Sequence, residues 1–244
     1  MILTFFKAVF YQPLYNALVL LTVYLPGESL GLAIILLTII VRLALYPIYH
    51  KSLTTQRKLR EIDGQLKEIK EKTKDNKQEQ AQQIIKLYQE HGINPLTSFV
   101  VLIIQIPIII SLFYVFRGSI SIDPTLLYSF IPSPEAVSHI FLNLFDVTQK
   151  SIPMALLVGL TQFFQMKLAI PPLPPPDKSK ISSFKDDLAK SMNIQMRYVM
   201  PVMITFISMA LPAALALYWL TSNLFSIGHE LLIKRQALKI KAGV

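Results

Sequence analysis

The sequence predicts an all-α polytopic membrane protein. Five transmembrane helices surround a hydrophilic groove, with a cytoplasmic helical hairpin and an N-terminal interfacial helix. Three observations predict this. Mean hydropathy is +0.47, and 52% of the 244 residues are hydrophobic against 16% charged, where ordinary domains carry about 25% charge. The apolar residues gather in runs long enough to cross a bilayer. The Lys and Arg residues gather in some of the segments between those runs and not in others.

A helix needs about 20 mostly apolar residues to cross ~30 Å of hydrocarbon. Leu30–Tyr49 is the first candidate, and Arg42 is its only charge. Pro95–Phe116 is the second and has no charge; Ile152–Ile170 is the third, with Lys167 near its end. Tyr198–Ile233 has 36 residues, too many for one span and few for two. Pro212 breaks its middle because proline cannot donate to the helix ladder, so Tyr198–Leu211 and Pro212–Ile233 form a hairpin with a short first arm. Residues 1–28 are apolar but interrupted by Lys7 and by Tyr11-Gln12-Pro13. A sixth span, a signal peptide and an interfacial helix all fit such a segment; no small-residue cleavage site follows it, and an external interfacial helix is the reading adopted, with spanning as the alternative. The predicted organisation is therefore 1–28 interfacial helix, 29–50 first span, 51–94 hairpin, 95–117 second span and 118–151 external loop. It continues with 152–170 third span, 171–197 Pro-rich loop, 198–233 fourth and fifth spans, and 234–244 basic tail.

Orientation follows from charge. Residues 51–95 hold ten Lys/Arg, 171–197 hold five and 230–244 hold four, whereas 117–152 hold only Arg117 and Lys150. The positive-inside rule places the first three in the cytoplasm. Five spans then put the N-terminus outside and the C-terminus inside a cell inner (plasma) membrane. The net charge of +9 also suits contact with anionic lipid or RNA.

Residues 51–94 read as two helical arms. Leu59, Ile62, Leu66 and Ile69 recur at helical spacing in the first, and Ala81, Ile84, Ile85 and Tyr88 in the second. Gly92 suits a helix C-terminus, and Asn94-Pro95 suits the start of the next helix. Pro171–Pro176 favours polyproline geometry, followed by a solvated Lys/Ser/Asp linker.

Arg42 is the strongest single signal. It lies roughly 10 Å from the cytoplasmic end of its span at ~1.5 Å per residue, and an Arg at a helix centre costs about 2.5–3.5 kcal/mol on insertion scales. It either snorkels to the interface or faces a water-filled cavity. Thr38, Arg42, Tyr46 and Tyr49 share one helix face, and other spans carry polar stripes: Gln105 in the second, Thr161, Gln162 and Gln165 in the third, and Tyr218, Trp219, Ser222 and Asn223 in the last. Singly, each stripe is explained by an interhelical hydrogen bond of ~0.6 kcal/mol. Together with Arg42, four stripes point to a shared hydrated groove. The candidate groove residues are Arg42, Thr38, Gln105, Gln162, Gln165, Tyr218, Trp219 and Asn223.

Other classes are disfavoured. There are no cysteines, which removes disulfides, thiol catalysis and Cys-ligated zinc. No dinucleotide, Walker, nucleophile-elbow or H-E-x-x-H motif is present, and the four histidines lie in separate segments outside the span interiors. No enzyme activity, cofactor or metal is expected. By this division no span interior holds Asp, Glu or His, which weakens a proton-coupled pump. A cationic groove instead attracts an acidic or polar stretch of peptide on its way across the bilayer. A solute channel or transporter using the same cavity, and a scaffold in which Arg42 snorkels, are the rival readings.

Gly31-Leu32-Ala33-Ile34-Ile35-Leu36-Leu37-Thr38-Ile39-Ile40-Val41-Arg42 strongly resembles the arginine-bearing span of YidC/Oxa membrane protein insertases. His91-Gly92-Ile93-Asn94-Pro95-Leu96 and Gln105-Ile106-Pro107 are similar to the join and second span of that family. Leu211–Trp219 with Ser222-Asn223-Leu224 resembles its last span. The similarity runs in order over about residues 5–235 and corresponds to the short form of the family, the core without a large external domain before it. The resemblance implies a groove open to the cytoplasm and lipid and closed outside, with Arg42 as the groove arginine and Thr38 and Trp219 lining it or touching substrate. It also implies a membrane protein insertase and chaperone, acting alone or with the Sec translocon. The implied partners are nascent membrane-protein substrates, the ribosome, the signal recognition machinery and the lipid bilayer.

Overall fold

The structure is a computed structural model in which residues 2–94, 96–118, 123–134, 136–170 and 191–242 are described. Most of the predicted Pro-rich loop, residues 171–190 with Pro171–Pro176, lies outside the described residues, as do Pro95 and residues 243–244. The chain divides into two compact units, residues 1–43 with 108–244 and residues 44–107.

The larger unit begins with α1 (Ile2–Phe6), a wider π turn (Lys7–Tyr11) and α2 (Gln12–Tyr24) in one helical run. Tyr15, Asn16, Leu18, Val19 and Thr22 recur at helical spacing and form its buried face. Pro26 and the left-handed Gly27 (φ 66°) end the run, a conformation that glycine adopts without strain. Helix α3 (Leu30–Ala44) buries Leu30, Ala33, Ile34, Leu37 and Thr38 along one face and exposes Ile40 and Leu43.

The predicted first span, 29–50, is not one helix. The ladder stops at Leu45, and a second helix, α4 (Tyr46–Glu61), starts there with Pro47 in its first turn. Proline has no N–H to donate and crowds the carbonyl four residues earlier. The amides of Ile48 and Tyr49 both turn to the Leu45 carbonyl at 3.1 Å.

Helix α7 (Leu96–Gly118) passes Pro107, where the two units divide. A loop then carries the two-residue strands β1 (Ile140–Phe141) and β2 (Phe145–Asp146), paired antiparallel. Helix α8 (Ile152–Ala169) follows, capped by the Ser151 hydroxyl. Helix α9 (Met200–Ala210) is entered through a π turn (Gln195–Val199) and ends at extended Leu211 before Pro212. Helix α10 (Ala213–Ala242) packs along α8, as α9 does. It does not end at Ile233. It continues through residues assigned from sequence to a separate tail, because nothing from Leu231 to Ala242 is a helix breaker.

The loop before α8 is stitched to the starts of these helices. The Leu30 amide donates to the Ser138 carbonyl and the Ser138 amide to the Glu28 carbonyl, both at 3.0 Å. The first amides of α10, on Ala213 and Ala214, donate to Gln149 and Val147 carbonyls at 2.7 Å. A helix N-terminus has amides with no partner inside the helix, and here the loop accepts two of them. Side chains of α2 join in: the Asn16 amide donates to the Leu126 carbonyl at 2.9 Å, and the Tyr128 amide donates to Asn16 Oδ1 at 2.7 Å. Gly31 lies under the Phe141 ring, which a Cβ there would meet at 2.3 Å.

In the smaller unit, α4 continues into α5 (Asp63–Lys72), which pairs with α6 (Lys77–Glu90). Asn76 caps α6 by accepting the Glu79 amide. Ile62, Leu66, Leu87 and Ile93 form a small core, with Leu59, Ile69, Ile84 and Tyr88 packed against it. Ala81 and Ile85 stay exposed. Gly92 (φ 58°) turns the chain out of α6 so that the Ile93 amide reaches the Tyr88 carbonyl at 2.8 Å.

Candidate functional site

The larger unit has an apolar core, yet its outer surface is also apolar and several polar side chains lie inside. Leu156, Leu160 and Phe164 of α8 and Val202, Phe206 and Ile207 of α9 face outward, Phe206 with 67% of its surface exposed. Meanwhile Thr38, Ser111, Ser208, Ser222 and Asn223 are buried. Water would reverse that preference, whereas hydrocarbon does not penalise the leucines. Helix α8 is long and apolar enough to cross a membrane, and Ile103–Phe116 forms a further apolar helical stretch.

Arg42 is half-buried near the end of α3, one turn beyond buried Thr38 on the same face. The Thr38 hydroxyl donates to the Ile34 carbonyl at 2.6 Å. It therefore presents its lone pairs rather than a proton to whatever lies on that face. Six polar side-chain atoms of this unit are buried without a hydrogen-bond partner among the described residues: Ser111 Oγ of α7, His139 Nδ1 of the loop, Gln165 Oε1 of α8, Arg197 Nε of the π turn, Ser208 Oγ of α9 and Ser222 Oγ of α10. Buried polar atoms are normally satisfied by protein or by ordered water, and these are not satisfied by the described side chains or backbone.

The other predicted residues are distributed unequally. Gln162 and Gln165 are half-buried on α8. Tyr218 and Asn223 are buried on α10. The Asn223 amide is directed at α8, donating to Thr161 Oγ1 at 3.2 Å and the Val158 carbonyl at 3.4 Å. That is the interhelical bond weighed from sequence, and it gives Asn223 a place in the packing. Trp219 lines a cavity of about 350 Å³ with Ile109, Phe113, Tyr114, Leu211 and Leu215, an apolar surface rather than a polar one. Gln105 belongs to the smaller unit, where Tyr49 Oη donates to its Oε1.

Two features were not anticipated. Arg197, counted from sequence among loop charges, is 91% buried, with 9% of its surface exposed. His229 and Glu230, placed from sequence at the end of the last span, lie in mid-helix and are 4% and 6% exposed because α10 continues to Ala242. Only the register of α10 against its neighbours reveals this.

Fold and exposure together define a helical membrane protein with an apolar outer surface, a few buried polar side chains and a cation, Arg42, in a mostly apolar helix. The family model described as 60Kd inner membrane protein matches residues 21–240, and the chain belongs to that family. The membrane protein insertase YidC of Clostridium tetani is 34% identical over 217 residues, 89% of this chain and 87% of the relative. Its counterpart in Oceanobacillus iheyensis is 33% identical over 220 residues, 88% of this chain and 78% of the relative. Among solved structures, an active YidC insertase with its first transmembrane domain resolved matches with a TM-score of 0.54 at 25% identity. That match covers 91% of this chain and 45% of the other.

Proposed function

We propose that this protein is a membrane protein insertase and chaperone of the cell membrane, working through a hydrophilic groove without covalent chemistry. The observation that carries this is Arg42, half-buried on the Thr38 face of an apolar helix in a chain whose named relatives are insertases. Those names favour the insertase over the solute channel or transporter.

In this reading five spans cross the membrane, with the N-terminus outside and the C-terminus and hairpin 51–94 in the cytoplasm. Arg42 and Thr38, with Gln162, Gln165 and Tyr218, line the groove, and the apolar wall at Trp219 receives the greasy part of the substrate. Gln105 and Asn223 belong to the same proposed groove set, held in place by their bonds to Tyr49 and to α8. The groove holds the polar end of an incoming segment part-way into the bilayer, shortening the path over which its backbone and charges lie in hydrocarbon. Arg42 attracts acidic residues there, where the lower dielectric strengthens the attraction. The helical run 191–210, π turn included, is ~30 Å long at ~1.5 Å per residue, enough to cross the hydrocarbon, so local thinning by a short span is not part of this reading. The apolar part of the substrate then leaves along the exposed faces of α8 and α9. The hairpin guides nascent chains, the basic segments meet ribosomal RNA, and the signal recognition machinery and the Sec translocon are further partners.

Reconstituted insertion tests the mechanism. Arg42→Ala is expected to reduce insertion of substrates with acidic external tails by about tenfold, the equivalent of ~1.4 kcal/mol, while Arg42→Lys keeps most activity. Full insertion of such substrates by Arg42→Ala refutes charge attraction. Cysteines placed at Thr38 and Trp219 are expected to crosslink to a nascent substrate, and crosslinks confined to Phe206 and Leu160 on the outer faces refute the groove.

A further inference from the structure

The largest unexplained feature of the larger unit lies away from Arg42. Between α8, the π turn before α9, and α10 there is a cavity of about 650 Å³. Its walls are Leu160, Phe164, Leu224 and Ile227, and its two charged lining residues are Lys167 and Arg197. Among the described residues no acidic side chain lines it. Leu160, Phe164 and Leu224 are about half exposed, so the cavity opens onto the apolar outer surface.

Arg197 is the informative residue. Its guanidinium lies 5.8 Å from the centre of the Tyr198 ring, an orientation favoured by the charge above the ring face. Yet Nε is buried with no hydrogen-bond partner among the described residues. A guanidinium keeps its charge and its five donors under all conditions a protein meets. Burying that N–H without an acceptor is costly, and with two cations and no acidic side chain among the described lining the site suits an acidic acceptor. Lys234 extends the cationic rim: its Nζ donates to the Leu168 carbonyl at 3.3 Å, beside Lys167 in sequence.

A free anion would satisfy the cations and leave the apolar walls bare. A neutral lipid would cover the walls and leave Arg197 without a counter-charge. We propose that this cavity binds one anionic phospholipid, its phosphate on Arg197 and Lys167 and an acyl chain along Leu160, Phe164 and Leu224. The proposal rests on the membrane placement of the protein but not on the Arg42 groove. The lipid ties α8 to α10 and the start of α9, at the end of these helices remote from the loop that caps them.

The full-length protein purified in detergent tests this, with native mass spectrometry reading the lipid retained. Phosphatidylglycerol is expected to be kept over phosphatidylcholine by at least tenfold. Each cation is expected to contribute about fivefold, the equivalent of ~1 kcal/mol. Lys167→Gln, at an exposed position, and Arg197→Gln each remove about fivefold, and the double variant removes the preference. Leu224→Trp, which fills the cavity from an exposed position, lowers retention with both cations intact. Arg235→Gln, outside the cavity, changes nothing. Glycerol phosphate at millimolar concentration does not displace the lipid. Equal retention of the two lipids, an unchanged preference in Lys167→Gln, or displacement by glycerol phosphate each overturns the proposal. The insertion assay of Arg42→Ala is independent of these outcomes, so failure of the groove and failure of the lipid site are told apart.

Discussion

Asn223 shows how one side chain divides between packing and function. Its amide crosses from α10 to α8, and such bonds in membranes average ~0.6 kcal/mol. Asn223→Leu, similar in size, is expected to lower thermal stability slightly, by about 0.5–1 kcal/mol. Abolished insertion with unchanged melting would instead place Asn223 against substrate. Arg42 is the converse case. An arginine costs free energy in an apolar helix, and an ionisable residue at such a place is where a function is sought. The Thr161, Gln162 and Gln165 stripe was legible in sequence as polar. Its division into a residue bonded across helices (Thr161) and one with a buried, unpartnered oxygen (Gln165) was not.

At the scale of elements, the α8–α9 contact depends on Gly159. A Cβ there would lie 1.9 Å from Thr205 Oγ1 and 3.1 Å from Thr205 Cβ. Thr205 cannot turn aside without giving up its 2.8 Å bond to the Pro201 carbonyl. Gly159→Ala is expected to destabilise the pair by ~1–3 kcal/mol, the usual range for overpacking. Adding Thr205→Ala, which removes the clashing hydroxyl, is expected to restore most of it. Thermal melts of the two single variants and the double variant measure the coupling, and additive effects refute the contact. Gly159 stands in the sequence as one residue of an apolar run, with nothing to mark it. The α5–α6 pair was more legible, because Leu59, Ile62, Leu66 and Ile69 repeat at helical spacing over a polar background. Ile85 also fits that spacing yet remains exposed, since the core is too small to cover a wide stripe on α6.

Across the whole molecule, the loop that caps α3 and α10 is the feature with a pH dependence. The Thr125 hydroxyl and amide donate to the Asp123 carboxylate and hold its pKa below the ordinary 3.8. At Asp146 partial burial pushes the pKa up, but the Thr148 hydroxyl and amide outweigh it and the result is again below 3.8. A carboxyl with a lowered folded value adds stability above its unfolded value, and that stability is lost as pH falls through the folded one. Amide protection of Ala213 and Ala214 is therefore expected to be flat from neutrality down to the ordinary carboxylate range and to fall below it. Thr125→Val with Thr148→Val should weaken protection at pH 7 and flatten the acid loss. An acid loss unchanged in that double variant would assign it to other groups.

The sequence by itself determined the class, the apolar stretches, the position of Arg42 among them and the basic character of the segments between. Hydropathy, proline and charge act locally, and the bilayer imposes one length on every span. Only the tertiary structure decided that Asn223 faces α8, that Trp219 lines an apolar cavity, and that Arg197 is buried beside Lys167. The physical reason is that helical spacing fixes which side chains share a face. Which neighbour that face meets depends on the packing of residues far apart in the chain.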